Sequence, residues 1–174
     1  WFTSLLGKHS SLAVVVQYFK THEITNYAVA ELQQAQTRRW VVAWSHTSLR
    51  LPDSFTQSEL PSLAKLLPKP TTLTTNVSSS LSPEQVSQRL MLALQEVQFL
   101  VQVREDGSLI AEAYGDITWT RQAKRKKIQA GQPVPSNLLL RCRLTCRAVV
   151  SGVTITMYWQ SGKSRDAVDS LWNH

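Results

Sequence analysis

The sequence has no long apolar run. Nothing in its 174 residues approaches the roughly 18–20 residues a membrane-spanning helix requires, so a transmembrane helix is excluded. It has no basic, apolar and small-residue succession of the kind that marks secretion. Cysteine is scarce: Cys142 and Cys146 are too few for a disulfide framework and fit an intracellular, reducing compartment. No C-x-x-C occurs, and His9, His22, His46 and His174 are scattered, so no metal site is expected. There is no glycine-rich phosphate loop, no G-x-S-x-G and no H-E-x-x-H. No nucleophile–base–acid set stands out, and Cys142 falls on the apolar side of its strand. No catalytic residue is therefore expected within this chain.

The remaining absence is of acid. Between Ile117 and Arg165 there is no Asp or Glu, yet ten of the nineteen basic residues fall there. With a net charge of +7 overall, that stretch carries +10 and the rest of the chain −3. A local field of this sign attracts polyanions, nucleic acid or an anionic membrane surface. Arg121, Lys124, Arg125, Lys126 and Lys127 crowd five cations into seven positions beside Trp119. Lys and Arg there neutralise phosphates. Trp119 would stack on an unpaired base or, as the commoner role, anchor the core. Arg141, Arg143 and Arg147 alternate with apolar residues, which puts them on one strand face as phosphate contacts or as a solvated surface.

Periodicity predicts two blocks. In the first, Trp1 to Leu6 reads as a strand stopped by Gly7, and Ser10 or Ser11 is expected to cap a helix to about Thr21. Ile24–Gln33 and Arg38–Ser45 then form a hairpin across Gln33-Gln34-Ala35-Gln36. The near-continuous apolar second strand predicts cover on both faces, more than so small a block supplies. A chain opening on Trp1 inside a strand is expected to be part of a longer protein. Residues 48–70 hold four of the seven prolines and read as a linker. The second block, 71–174, begins with a Thr/Val strand. Ser82-Pro83-Glu84-Gln85 is a capping box that starts a helix. Asp106-Gly107 marks a hairpin, Leu140–Val150 an alternating strand, and Ser164 the cap of a last helix. The order β-α-β-β-(basic segment)-β-β-α predicts an antiparallel sheet with helices on one face, an α+β layer.

Two stretches carry a family resemblance. Trp1-Phe2-Thr3-Ser4-Leu5-Leu6-Gly7-Lys8, with Gln34-Ala35-Gln36-Thr37-Arg38-Arg39-Trp40-Val41-Val42-Ala43-Trp44-Ser45, resembles the end of the catalytic domain in the methyltransferase-like protein 16 family. These are S-adenosylmethionine-dependent RNA N6-adenosine methyltransferases acting on U6 snRNA. Strand-helix-strand over 71–103, the basic segment, and the run from Met157 to Asp166 are similar to that family's kinase-associated-1-like C-terminal region. Three departures stand out: Ala35 replaces the family glycine, Gln36 an arginine and His46 a phenylalanine.

The resemblance implies domains and roles. Residues 1–47 would be the Rossmann-like end of a class I methyltransferase domain (strand-helix-hairpin), 48–70 a linker, and 71–174 an α+β, kinase-associated-1-like RNA-binding domain. The cofactor S-adenosylmethionine and the N-P-P-F catalytic motif would belong to a part preceding Trp1. RNA contacts would come from Lys8, Arg38, Arg39, Arg121, Lys124, Arg125, Lys126, Lys127, Arg141, Arg143 and Arg147. The partner would be a structured RNA such as a U6 snRNA hairpin, with no membrane, and the site of action the nucleus and secondarily the cytoplasm. Two other readings stay open: a non-enzymatic RNA-binding module, and an anionic-lipid-binding module.

Overall fold

The computed structural model describes residues 1–78, 80–120, 137–162 and 164–173. It divides into two units, Trp1–Thr71 and Thr72–His174.

In the first unit, β1 (Phe2–Leu6) leads into α1 (His9–Thr21), followed by the hairpin of β2 (Tyr27–Gln34) and β3 (Thr37–Trp44). The sheet order is β1-β3-β2, with β3 antiparallel to both neighbours. β1 and β2 therefore run parallel to each other on either side of it, joined by the helix. Helical spacing sets the core: Leu12, Val16 and Phe19 face Tyr27, Val29 and Val42 across the sheet. The helix starts differently from expectation. Lys8 occupies the N-cap with extended backbone and makes no side-chain cap bond, so neither Ser10 nor Ser11 caps it. At the other end Glu23 turns left-handed at φ 56, and the Ile24 amide reaches the Phe19 carbonyl at 2.9 Å. That 6→1 bond closes a Schellman motif without its usual glycine.

The hairpin turn is tight. Gln34 pairs with Thr37, leaving Ala35 and Gln36 as the loop, and Ala35 sits at φ 51. Among the described residues β3 is covered on one side, and the second cover expected for it would come from outside this chain. Val42 is buried under α1, while Leu5 and Leu32 on the opposite face are exposed.

Residues 48–70 correct the linker expectation. They are packed into the first unit, because Leu63 is fully buried among Leu12, Val16 and Val42, with Leu66 and Leu67 beside it. Asn26 Nδ2 donates to the carbonyls of Thr47 and Leu49 at 3.1 and 2.8 Å. A four-residue helix, α2 (Asp53–Thr56), lies in this stretch, and Asp53 Oδ1 accepts from the Thr71 amide at 2.6 Å. Proline spacing marked an irregular segment correctly. It could not register that the leucines between the prolines are core.

The second unit is built from β4 (Thr72–Val77), α3 (Pro83–Glu96), β5 (Leu100–Val103), β6 (Leu109–Tyr114), β7 (Leu138–Val149), β8 (Gly152–Gly162) and α4 (Arg165–Trp172). Its five strands are all antiparallel in the order β4-β8-β7-β6-β5. Both expected caps form. Gln85 N–H donates to Ser82 Oγ at 3.3 Å while Ser82 N–H donates to Gln85 Oε1 at 2.9 Å, and Ala167 N–H donates to Ser164 Oγ at 3.3 Å. Alternation then sorts the sheet faces. Leu109, Ala111, Cys142, Leu144, Met157 and Trp159 point inward against Leu94 and Val97 at the end of α3 and against Ala167 and Val168 of α4. β6 ends at Tyr114, short of the Ser108–Thr120 strand expected, because Gly115 turns at φ 72. The chain then buries Trp119 completely, against Phe99 at 5.1 Å between ring centroids. That excludes Trp119 as a stacking platform.

Candidate nucleic-acid interface

Lys8, Arg38 and Arg39 come together at one end of the first sheet. Leu6 pairs with Trp40, so the chain leaving β1 at Gly7-Lys8 lies at the same end as the start of β3. The three are not equivalent. Arg38 is held by Glu31, Nη1 to Oε1 3.6 Å. The Glu31 side chain is only 8% exposed and also accepts from Trp40 Nε1 at 3.1 Å and Ser62 Oγ at 3.4 Å. His9 completes the cluster, its ring centroid 5.6 Å from that of Trp40 in an edge-to-face arrangement and its Nε2–H donating to the Ser62 carbonyl at 3.0 Å. Arg38 is thus committed to a structural carboxylate. Lys8 and Arg39 are exposed, with no acidic partner among the described residues.

The strand arginines project as the alternation requires, on the face of the second sheet opposite α3 and α4. Sequence reasoning missed the acids beside them. Glu112 of β6 pairs with Arg141 across the ladder, and Arg141 Nε lies 3.4 Å from Glu112 Oε1. Tyr114 Oη donates to the other Glu112 oxygen at 2.8 Å. Arg143 forms an ion pair with Asp106, and its Nε donates to Ser108 Oγ at 3.1 Å. Bonds from the Ser108 hydroxyl and amide hold the Asp106 carboxyl below its ordinary range, with Arg143 adding to the effect. Arg147 is exposed and has no such partner among the described residues. An open groove of about 760 Å³ lies here, lined by Arg104, Asp106, Ile110, Arg141, Arg143 and Gln160 among others. Arg121, Lys124, Arg125, Lys126 and Lys127 lie outside the described residues. The hairpin signal at Asp106-Gly107 was legible. Its use as a counterion depends on β6 lying beside β7, which no local pattern encodes.

Other chemistry is not supported. Burial pushes the Cys142 thiol up to about 12 and raises that of half-buried Cys146, the reverse of an activated nucleophile. Among the described residues no group of three His, Cys, Asp or Glu side chains is placed to hold a metal ion, and no helix is long and apolar enough to cross a membrane.

Comparison with known proteins fits this picture. A family model described as RNA methyltransferase matches residues 1–48. A U6 small nuclear RNA (adenine-(43)-N(6))-methyltransferase of Schizosaccharomyces pombe is 28% identical over 171 residues, 98% of this chain and 43% of that protein. The resemblance to the methyltransferase-like protein 16 family holds. The protein of the same name from Drosophila pseudoobscura pseudoobscura is 47% identical over 45 residues, 26% of this chain and 15% of that protein. A ribosomal RNA large subunit methyltransferase F of Pseudoalteromonas translucida is 37% identical over 46 residues, again 26% and 15%. This chain thus spans less than half of each of these relatives. Only the fission-yeast match among the three is long enough to run through both units. The non-enzymatic and lipid-binding readings are not favoured by these relatives.

Proposed function

We propose that this chain is the C-terminal portion of an S-adenosylmethionine-dependent RNA (adenine-N6) methyltransferase. In this reading it acts in the nucleus on U6 snRNA or a similarly structured RNA, and its second unit adds RNA affinity. The observation that carries the reading is the fission-yeast match over 171 residues, through both units. The parallel pair β1 and β2 flanking antiparallel β3, with α1 as the connection, supports a Rossmann-like methyltransferase end for 1–47. The order β-α-β-β-β-β-α, with both helices on one face, supports the kinase-associated-1-like reading of 71–174.

The division of labour follows from this chain's own residues. S-adenosylmethionine supplies an electrophilic methyl group for adenine N6. The first unit is a poor fit for that cofactor: its one glycine, Gly7, lies in open space where a Cβ would meet nothing within 4 Å. No transfer step is assigned to these side chains. Their work is to bind and orient RNA. Lys8 and Arg39 offer phosphate contacts at the end of the first sheet. Arg147, with Arg141 and Arg143 held in place by carboxylates, does so on the second. The basic segment Arg121 and Lys124–Lys127 adds a counterion-releasing grip.

In the whole protein, incubation with a U6 hairpin is expected to yield N6-methyladenosine by mass spectrometry; its absence refutes the enzymatic reading. Changing Lys124, Arg125, Lys126 and Lys127 together to Ala is expected to weaken binding and flatten the salt slope by about one per lost phosphate contact. An unchanged slope removes that segment from the interface.

A further inference from the structure

The outer face of the second sheet is electrically divided. Its acids come from β6 and the β5–β6 turn, as Glu112, Glu105 and Asp106. The other three strands, β4, β8 and β7, contain no acid at all. Across these acid-free strands the register lays out successive rows, of which the one at Arg143 borders Asp106. Arg143 lies opposite Tyr158, Thr145 opposite Thr156, and Arg147 opposite Thr154. β4 continues the middle row with Thr74 beside Thr156. Met157 and Trp159 point into the core, so Tyr158 points out. It is partly exposed, and its hydroxyl makes no hydrogen bond to any described residue. The threonine hydroxyls beside it bond within the sheet, Thr74 Oγ1 to Thr156 Oγ1 at 3.5 Å and Thr154 Oγ1 to Asn76 Oδ1 at 2.6 Å. α3 and α4 pack on the opposite face.

We infer that the β7–β8–β4 face binds unpaired RNA, with Tyr158 as the stacking ring and Arg147, which has no acidic partner among the described residues, as the phosphate contact. Arg147 lies four residues, about 13 Å, along β7 from the position paired with Tyr158, so ring and cation meet different nucleotides of one extended strand. A sheet bearing one accessible ring, an unpaired cation and a row of small threonines suits splayed nucleotides, whose base faces are free to stack. A paired helix hides its base faces and offers this surface only backbone. The acids of β6 and the β5–β6 turn confine the strand to the other side by repelling phosphate. This inference rests on the RNA-binding reading above and sharpens it to single-stranded segments.

The test is a fluorescence anisotropy titration of the 174-residue chain with a labelled 12-nucleotide single strand and with a blunt 12-base-pair RNA duplex. Tyr158→Ala is expected to weaken single-strand binding about ten-fold and duplex binding less than two-fold. Tyr158→Phe keeps most of the affinity. Thr74→Glu, an exposed change on an edge strand, keeps the fold but places a carboxylate on the platform and is also expected to weaken the single strand selectively. Equal losses on both RNAs, or unchanged single-strand affinity in Thr74→Glu, overturn the inference. Wild-type chain that binds neither RNA refutes the broader RNA-binding reading, a result distinct from wild-type chain that binds duplex alone, which refutes only this one.

Discussion

Single residues carry two kinds of constraint here, strain and commitment of charge. Ala35 occupies the first position of a two-residue hairpin loop at φ 51, a region that costs a β-carbon roughly 1–2 kcal/mol. Ala35→Gly is therefore expected to raise stability by up to about 1 kcal/mol in urea denaturation, because glycine's extra freedom when unfolded offsets part of the relief. The arginines show the second constraint. Asp106→Asn removes the partner of Arg143, and with it the Asp106 contribution to the pH dependence of folding. The sign follows from the depressed carboxyl: its stabilisation is present above the unfolded pKa and is lost as pH falls through the folded value. The acid limb of the wild-type stability profile is expected to be steeper than that of Asp106→Asn. For the thiols, burial of Cys142 predicts that a thiol reagent near pH 8 leaves it unmodified in the native protein and modifies it on denaturation.

At the scale of elements, the two capped helix starts of the second unit were legible, and the helix ends closed without glycine were not. The box at Ser82 and Gln85 follows from a four-residue pattern and forms as that pattern requires. Ser82→Ala is expected to cost about 1 kcal/mol, read as a lowered urea midpoint with unchanged slope. The same helix ends in a Schellman turn with Gln98 at φ 68 and the Phe99 amide on the Leu94 carbonyl at 3.0 Å. Nothing in the sequence announces that turn, since glycine is absent. The start of α1 misled for a related reason. Serines at positions 10 and 11 offer caps, but β1 pairs to Leu6, so the chain reverses by Gly7 and the helix begins at His9. Tertiary geometry left both serines inside it.

For the whole molecule, the main revision concerns residues 48–70. Their prolines suggested a tether, yet Leu63 fills the first core. Leu63→Ala is expected to destabilise the first unit by about 2–5 kcal/mol, a loss no flexible linker would show. The second unit draws its core from its own strands and helices, so residues 72–174 are expected to fold alone with cooperative thermal unfolding. Charge also reads differently at this scale. The acid-free stretch from 117 to 165 remains acid-free in sequence, while its strand portion meets Asp106 and Glu112 side by side. Of the three arginines on β7, Arg147 alone lacks an acidic partner among the described residues.

Composition and spacing alone determined the α+β class of the second unit, the order of the strands and longer helices, the two cap sites of the second unit and the facing of Cys142 and Leu144 against Arg141 and Arg143. These are local properties: alternation with period two, helical period and capping chemistry act over a few residues. Only the tertiary structure decided which cations are free, that Trp119 is core, and that Leu63 is core too. Those outcomes depend on contacts between residues distant in the chain: Asp106 reaches Arg143 only when β6 lies beside β7, and Leu63 is buried only when 48–70 folds onto α1 and β3.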